Sequence, residues 1–188
     1  MRAGRTSEPG PAVAASKRTE AVQVAGVVGA AWLLSIGFDF LLHAGLLASL
    51  YVEASPFLLP PDVALRRIPL GYLSFLVLTL GLYWLFRRLG IRGTVSGLRH
   101  GAGVGLVVWG ALALGLYSIS TARLPLLVGW WIGQAIELGL AGAVLGTAAT
   151  GASLRRMWRV VGLIALGCFV GAVVLQNSGL APTVRLVK

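Results

Sequence analysis

Acidic residues and cysteine are both scarce in this sequence. Its 188 residues include six Asp and Glu against 16 Lys and Arg, which gives a net charge of +10. The single cysteine, Cys168, lies in an apolar run and cannot form an intramolecular disulfide, so we expect a small core or lipid-facing residue there. Charged residues make up only 12% of the chain, about half the share of an average soluble domain. A soluble protein of this composition would have to expose much apolar surface to water.

Recognised catalytic motifs are also missing. The sequence has no phosphate-binding glycine loop with a lysine, no serine nucleophile elbow and no paired-histidine zinc motif. The glycines from Gly101 to Gly105 are spaced like a nucleotide loop, but they open an apolar segment and do not join a strand to a helix. We therefore expect no catalytic residue and no metal site, and a protein that is not an enzyme.

Apolar residues, at 57%, are what the sequence has in abundance. A membrane-spanning helix needs about 20 consecutive residues that are mostly apolar. This predicts an all-α, polytopic membrane helix bundle that occupies residues 21–177. Five segments meet the criterion, namely 22–51, 69–86, 102–120, 126–149 and 160–176.

The two termini are polar by comparison. Residues 1–20 contain Pro9 and Pro11 and mixed charges, and we expect a flexible cytoplasmic tail. A signal peptide is the alternative. However, the apolar run that follows residue 20 is about twice as long as the apolar region of a signal peptide, and it carries Asp39 and His43. Residues 178–188 are expected to form a short outer tail.

The distribution of Lys and Arg predicts the orientation of the bundle. Basic residues are enriched in cytoplasmic loops. With the N-terminus inside, 11 basic residues lie inside and five outside, which supports an N-in, C-out topology and localisation to a bacterial inner membrane. The inside residues are Arg2, Arg5, Lys17, Arg18, Arg87, Arg88, Arg92, Arg99, Arg155, Arg156 and Arg159, and the outside residues are Arg66, Arg67, Arg123, Arg185 and Lys188.

These basic residues form short clusters between the apolar segments and not one patch. This arrangement favours the headgroups of anionic lipids as their partners at the cytoplasmic Arg clusters, and argues against nucleic acid. The connection 53–68 is rich in proline, and the stretch 62–67 is expected either to form a short helix at the outer interface or to anchor a tight turn.

Many of the 26 glycines have the four-residue spacing that lets membrane helices approach closely. This spacing predicts tight packing of the last three spans against one another or against partner subunits. The pairs are Gly101 and Gly105, Gly129 and Gly133, Gly142 and Gly146, and Gly167 and Gly171.

Four polar residues lie inside predicted spans, where a carboxylate costs about 2.5–3.5 kcal/mol. Asp39 and His43 share a face of the first span, and Gln134 and Glu137 share a face of the fourth. With opposite helix directions and a rise of 1.5 Å per residue, both acids lie about 16–18 Å below the outer surface. We expect these four residues to meet in one intramembrane polar cluster.

Three interpretations of the cluster remain open. The side chains satisfy one another's hydrogen bonds, or they line a path for protons or a small solute, or they bind a ligand or metal. A pigment or other cofactor with one axial ligand could use His43. A haem with two histidine ligands is excluded, because the other histidine, His100, is expected at headgroup level on the cytoplasmic side.

The layout resembles a group of small, uncharacterised bacterial membrane proteins with about four spans. These proteins have an aspartate late in the first span and an acidic residue followed by glycine in the last. Asp39 matches the first feature, Glu137 with Gly139 matches the second, and Tyr117 is similar at the end of the third span. The resemblance covers residues 25–150 and implies architecture alone, and the fifth span and the long N-terminal tail depart from it.

The sequence leads to two hypotheses of function. The first is a non-enzymatic accessory or structural subunit that packs within a larger membrane complex. The second is a small transporter, proton-linked or for a small solute, that uses Asp39 and Glu137. A membrane enzyme or a cofactor-binding protein comes third.

Overall fold

The computed structural model describes residues 11–52 and 55–182 of the chain, and these residues form a bundle of five long helices without a strand. This confirms the all-α class. The helices are α1 (Pro11–Leu41), α2 (Pro61–Leu89), α3 (Thr94–Ile119), α4 (Leu124–Ala148) and α5 (Leu154–Asn177). Each contains a segment long and apolar enough to cross a membrane, the first being Arg18–Leu46. The chain thus has the architecture of a multi-pass membrane protein.

Proline and glycine set several helix ends. Pro61 begins α2 and is followed by Asp62 in the first turn, where the missing proline N–H and the acidic charge both suit a helix start. Gly90 ends α2 in the left-handed conformation, with φ of 66°. A further turn of helix, the π turn Leu42–Leu46, continues α1, and the 3-10 turn Ala48–Tyr51 follows.

The fourth helix is the centre of the bundle. α4 packs most closely against α3, more loosely against α1, and has smaller contacts with α2 and α5. α1 packs in turn against α5, in parallel, since Gly26 lies at Leu154 and Gly37 at Ala165. Half of the most apolar stretch of α4 is buried inside the protein, whereas α2, α3 and α5 keep most of theirs on the outside, as helices that face lipid do.

Backbone-to-backbone contact characterises the α3–α4 pair. A Cβ atom added to Gly101 would overlap the carbonyl oxygen of Leu138, and one added to Gly142 would overlap that of Gly97. The Gly93 amide donates a hydrogen bond to the Gly146 carbonyl at 2.8 Å. Such contacts exist only because no side chain stands between the helices.

Alternating helix directions give the bundle two ends. At one of them, called the basic end here, lie the α2–α3 connection, the start of α5 and residues 18–20 of α1. An apolar core fills the half of the bundle nearer this end. Its buried residues are Ala30, Ala31, Leu34, Leu82, Phe86, Leu138, Ala141, Val144, Leu145, Met157 and Val161.

Three element boundaries differ from the sequence expectations. α1 begins at Pro11, although residues 1–20 were predicted to be a flexible tail; residues 1–10 lie outside the described part. Apolar composition marks where lipid begins and does not mark where a helix begins, and the alanine-rich stretch 11–15 favours helix. In the predicted first span 22–51, the α-helix ends at Leu41. The rest of the span consists of the wider π turn and the tighter 3-10 turn.

The third difference concerns the predicted interfacial segment 62–67, which is the first part of α2 and not a separate helix. Pro69 lies inside α2, where membrane helices tolerate proline because neighbouring groups compensate for the lost hydrogen bond. Of the predicted outer tail, residues 178–182 are described and residues 183–188 are not.

Candidate functional site

The polar site begins with a contact between a carboxylate and a histidine at the end of α1. Asp39 lies in the last turn of α1 and His43 one turn later in the π turn, and Asp39 Oδ1 is 3.1 Å from His43 Nε2. The two side chains are 13% and 29% exposed, so this part of the site is reachable from the protein surface. The pair is the one His–carboxylate contact in residues 11–52 and 55–182.

Tyr51 extends the site toward the end opposite the basic end. The π turn and the 3-10 turn fold the chain back so that the Tyr51 hydroxyl lies 2.5 Å from His43 Nδ1. The indole N–H of Trp130 in α4 donates to the same hydroxyl, also at 2.5 Å. Burial raises the pKa of the Tyr51 phenol above its usual value, so the group stays neutral and available as a donor to His43.

Gln134 links the Asp39–His43 pair to a buried acid on α4. Its Nε2 donates to Asp39 Oδ1 at 3.5 Å. Glu137, one helical turn further along α4, is 1% exposed, and its carboxyl faces the side chains of Ser35 and Gln134. The four residues predicted to meet therefore do lie together, with Gln134 as the connection between the two acids. Whether they work as a site stays a prediction.

Two acceptor atoms in this region have no hydrogen-bond partner. They are Gln134 Oε1 and Glu137 Oε2, and both are fully buried. An unmatched buried acceptor is costly, since it has lost its water without gaining a donor. A proton on Glu137 converts one of these atoms from an acceptor to a donor.

The connected side chains are called the polar chain below. It starts near the surface at Tyr51 and ends deep in the bundle at Glu137. Its members, in spatial order, are Tyr51, His43, Asp39, Gln134 and Glu137. Every member except Gln134 can gain or lose a proton or pass one through its hydrogen bonds. Beyond Glu137 and its neighbour Ser35 lies the apolar core.

Aromatic side chains cover the outer end of the polar chain. Phe57, in the connection between α1 and α2, lies against Trp130 with ring centroids 6.0 Å apart. The Gln176 amide of α5 donates to the Ala44 carbonyl in the π turn at 2.8 Å and so holds this irregular turn in place. π turns inside helices are frequent at functional positions.

A metal or cofactor finds few free ligands here. No group of three His, Cys, Asp or Glu side chains suited to a metal occurs in the described part of the chain. Both ring nitrogens of His43 are engaged, one with Asp39 and one with Tyr51. A cofactor bound through His43 would have to displace one of these contacts. His100 is exposed near the basic end, with its Nδ1 2.8 Å from the Ser96 carbonyl.

The predicted packing glycines divide into three groups. Gly101, Gly105, Gly142 and Gly146 lie in the close α3–α4 contact. Gly129 and Gly133 make room on α4 for two leucines from the end of α1, Leu47 and Leu42. Gly171 faces Leu41, whereas Gly167 faces open space.

Sequence reasoning missed two close approaches and one site residue. Gly97 meets Gly142, and Gly37 meets the Ala165 backbone, but neither was paired by four-residue spacing in the prediction. Tyr51 was not among the four residues of the predicted polar cluster. Its only signal was a phenol near the end of a span that also carries a histidine.

Comparisons with protein-family models, curated proteins and solved structures give no match to this chain.

Proposed function

We propose that this protein is a small proton-linked transporter of a bacterial inner membrane, in which Glu137 takes up and releases the proton. The observation that carries the proposal is the polar chain, a connected series of side chains from the surface to a buried carboxyl. A contact that only held α1 and α4 together would need no more than one hydrogen-bonded pair of side chains. The chain has five members and leaves two acceptors unmatched at its deep end.

The environment of Glu137 supports a role in proton exchange. The side chain is 1% exposed and has no ion pair with any described residue. An ionised carboxylate without a cation is expensive in such a place, and protonation removes the cost. Buried acids in membrane spans are typical of proton relays for this reason.

The remaining members supply a route for the proton up to Asp39, and Gln134 then holds Asp39 near Glu137, so that the last transfer passes through a water molecule or a direct approach of the two carboxyls. Asp39 and His43 are in contact, so a proton can pass between them. Gln134 spans the distance from Asp39 to Glu137. With the N-in, C-out topology expected from the distribution of basic residues, the route opens to the outer side of the membrane.

Proton flux into proteoliposomes tests the proposal. Vesicles with a trapped pH-sensitive dye and an imposed membrane potential should acidify faster with the protein than without it. Glu137→Gln keeps the size of the side chain but cannot carry the proton, so it should abolish the difference, and Asp39→Asn should reduce it. The matched control is Asp62→Asn, which neutralises an exposed acid at the start of α2. Equal flux in Glu137→Gln and the parent protein would contradict the proposal.

An accessory subunit of a membrane complex is the second candidate, favoured by glycines on the outer helix faces. Gly71 and Gly81 of α2, and Gly162 and Gly167 of α5, have no atom near the position of a Cβ. Each costs about 0.5–1 kcal/mol relative to Ala within a helix. A partner helix packed on these faces would offset that cost.

Mild detergent extraction from the native membrane distinguishes the two candidates. A subunit should purify in a complex well above its own mass of 19.6 kDa, with the same partners each time. Substituting Gly162 by Leu should release the partners if α5 forms the interface. A protein that purifies alone and carries proton flux alone would exclude the subunit hypothesis.

A further inference from the structure

A groove along α3 has an apolar floor and a basic mouth. It has a volume of about 500 Å³, and its floor includes Gly103, where no atom lies near the position of a Cβ. The groove passes His100, whose ring contacts Phe86 of α2 edge-on at 6.5 Å between centroids. The lining residues are Arg99, His100, Gly103, Val104, Val107 and Val108.

The length of the groove matches one leaflet of a bilayer. Arg99 and Val108 are nine residues apart on one helix, which is about 13.5 Å at 1.5 Å per residue. Half of a hydrocarbon core of roughly 30 Å is about 15 Å. One acyl chain laid along Val104, Val107 and Val108 would therefore end near the bilayer midplane while its headgroup stays at Arg99.

Within the described residues, the positive charge of Arg99 at the mouth has no partner of opposite sign. Arg99 and His100 are exposed, and Arg99 forms no ion pair with any described residue. Arg87, Arg88 and Arg92 lie in the neighbouring turns at the basic end. The described part of this end provides one acidic side chain, Glu20 of α1.

We propose that this groove is a binding site for one anionic phospholipid of the leaflet at the basic end. The phosphate lies against the Arg99 guanidinium and the His100 ring, and one acyl chain fills the valine-lined floor. His100 Nδ1 donates to the Ser96 carbonyl, so in the neutral ring Nε2 is an acceptor that can take a hydrogen bond from a headgroup hydroxyl. Lipid binding here is independent of proton movement through the polar chain.

A second groove on the same protein offers an internal comparison. It lies between α1 and α2, has a volume of about 750 Å³, and is lined by Val28, Trp32, Leu76 and Leu80 among others. Its mouth carries Glu20 and no basic residue. Both grooves can hold an acyl chain, but only the groove on α3 has the charge to select a lipid by its headgroup.

Native mass spectrometry of the full-length protein tests the site. Phosphatidylglycerol and phosphatidylcholine with identical acyl chains are titrated onto delipidated protein. The parent protein should bind one phosphatidylglycerol at least about fivefold more tightly than phosphatidylcholine, since one basic residue near the surface contributes a factor of that size. Arg99→Gln should lose this preference, and the matched control Arg156→Gln, which removes the same charge at the start of α5, should keep it.

A second variant tests the floor of the groove. Gly103→Leu adds a side chain to the floor at a position where a Cβ meets no atom within 4 Å, so it should weaken binding of both lipids in the site by similar factors. The proposal is overturned if the two arginine variants lose equal affinity or if the parent has no headgroup preference. Displacement of the lipid by free glycerol phosphate would also overturn it. In a Cys168→Ser background, a disulfide between the Gly103→Cys residues of two copies that forms equally with and without lipid would show that a second copy covers the groove, and this too would overturn it.

Discussion

The contact between α3 and α4 permits a sharp test on two glycines of the same helix. Gly101 and Gly103 lie two residues apart in α3, so local helix propensity is nearly the same for both. A Cβ on Gly101 would overlap the Leu138 carbonyl oxygen and lie 3.2 Å from Gly139 Cα, whereas a Cβ on Gly103 meets nothing within 4 Å. Gly101→Ala and Gly103→Ala therefore add the same atom to a closed and to an open position.

The two substitutions should have opposite effects on stability. Alanine favours helix over glycine by about 0.5–1 kcal/mol, so Gly103→Ala should raise the free energy of unfolding by up to that amount. Gly101→Ala gains the same term but adds a methyl group to a full contact, which costs about 1–3 kcal/mol. The obstructing atoms are backbone and cannot turn aside as a side chain can. We therefore expect the free energies of unfolding of the two variants to differ by about 3 kcal/mol, the upper end of the range for an added methyl group.

Unfolding in mixed micelles of a mild detergent and dodecyl sulfate measures this difference. Helical circular dichroism or tryptophan fluorescence follows the transition, and both variants are compared with the parent at equal micelle composition. If Gly101→Ala were as stable as Gly103→Ala, the helices would not be in backbone contact. The packing of α3 on α4 described above would then be wrong.

Two further predictions concern the orientation and the outer end of the polar chain. In a Cys168→Ser background, a membrane-impermeant maleimide should label Arg92→Cys and Arg156→Cys only from the cytoplasmic side, and labelling from outside would refute the N-in topology. Because burial raises the pKa of Tyr51, its contribution to folding is complete below pH 10 and falls as pH rises above that value. Tyr51→Phe should remove this alkaline loss of stability, measured by thermal unfolding at pH 9 and 11, and an unchanged pH dependence would contradict it.

The number and order of the helices could be predicted from the sequence because lipid imposes a simple length rule. About 20 apolar residues cross a bilayer, and five such runs separated by basic or proline-containing segments are visible by inspection. The rule says nothing about helices that extend beyond the lipid. For that reason the first ten residues of α1 were not predicted as helix, and the stretch 62–67 was not predicted to be continuous with α2.

The meeting of Asp39, Gln134 and Glu137 could be predicted from depth alone. Two antiparallel helices with polar residues at equal depth avoid exposing them to lipid if these residues face each other. The position of Tyr51 could not be predicted from depth. In a regular α-helix it would lie about 12 Å beyond His43 along the axis, and contact would be impossible. The π turn and 3-10 turn bring the two together, and such turns have no reliable sequence pattern.

Glycine spacing identifies small helix faces but not the neighbour of each face. Gly167 and Gly171 follow the same four-residue rule as Gly142 and Gly146, yet Gly167 faces open space. Gly37 has no glycine four residues away, and still it allows the closest approach of α1 to α5. The partner of a small residue is set by the three-dimensional arrangement of helices, which a one-dimensional spacing does not contain.

Four of the five helices form two pairs, α3 with α4 and α1 with α5, and the boundary between these pairs is called the seam here. α3 and α4 touch through backbone, and so do α1 and α5 at Gly37 and Ala165, whereas the turns that follow α1 meet α4 through the Leu42 and Leu47 side chains. Side-chain contacts can slide or separate more easily than interlocked backbones. The polar chain crosses this seam at the Asp39–Gln134 contact. If the protein carries protons, the seam is where Glu137 would change its access.

A disulfide across the seam should therefore stop transport, while one within a pair should not. In a Cys168→Ser background, a disulfide between Leu42→Cys and Gly133→Cys joins the π turn after α1 to α4. In the parent protein the Leu42 side chain lies directly over Gly133. Thr94→Cys with Thr147→Cys joins α3 to α4 at two hydroxyls that are 2.7 Å apart. Oxidation should abolish proton flux in the first variant, reduction should restore it, and the second should be insensitive to both. Equal flux in both oxidised variants would mean that Glu137 exchanges its proton without movement at the seam.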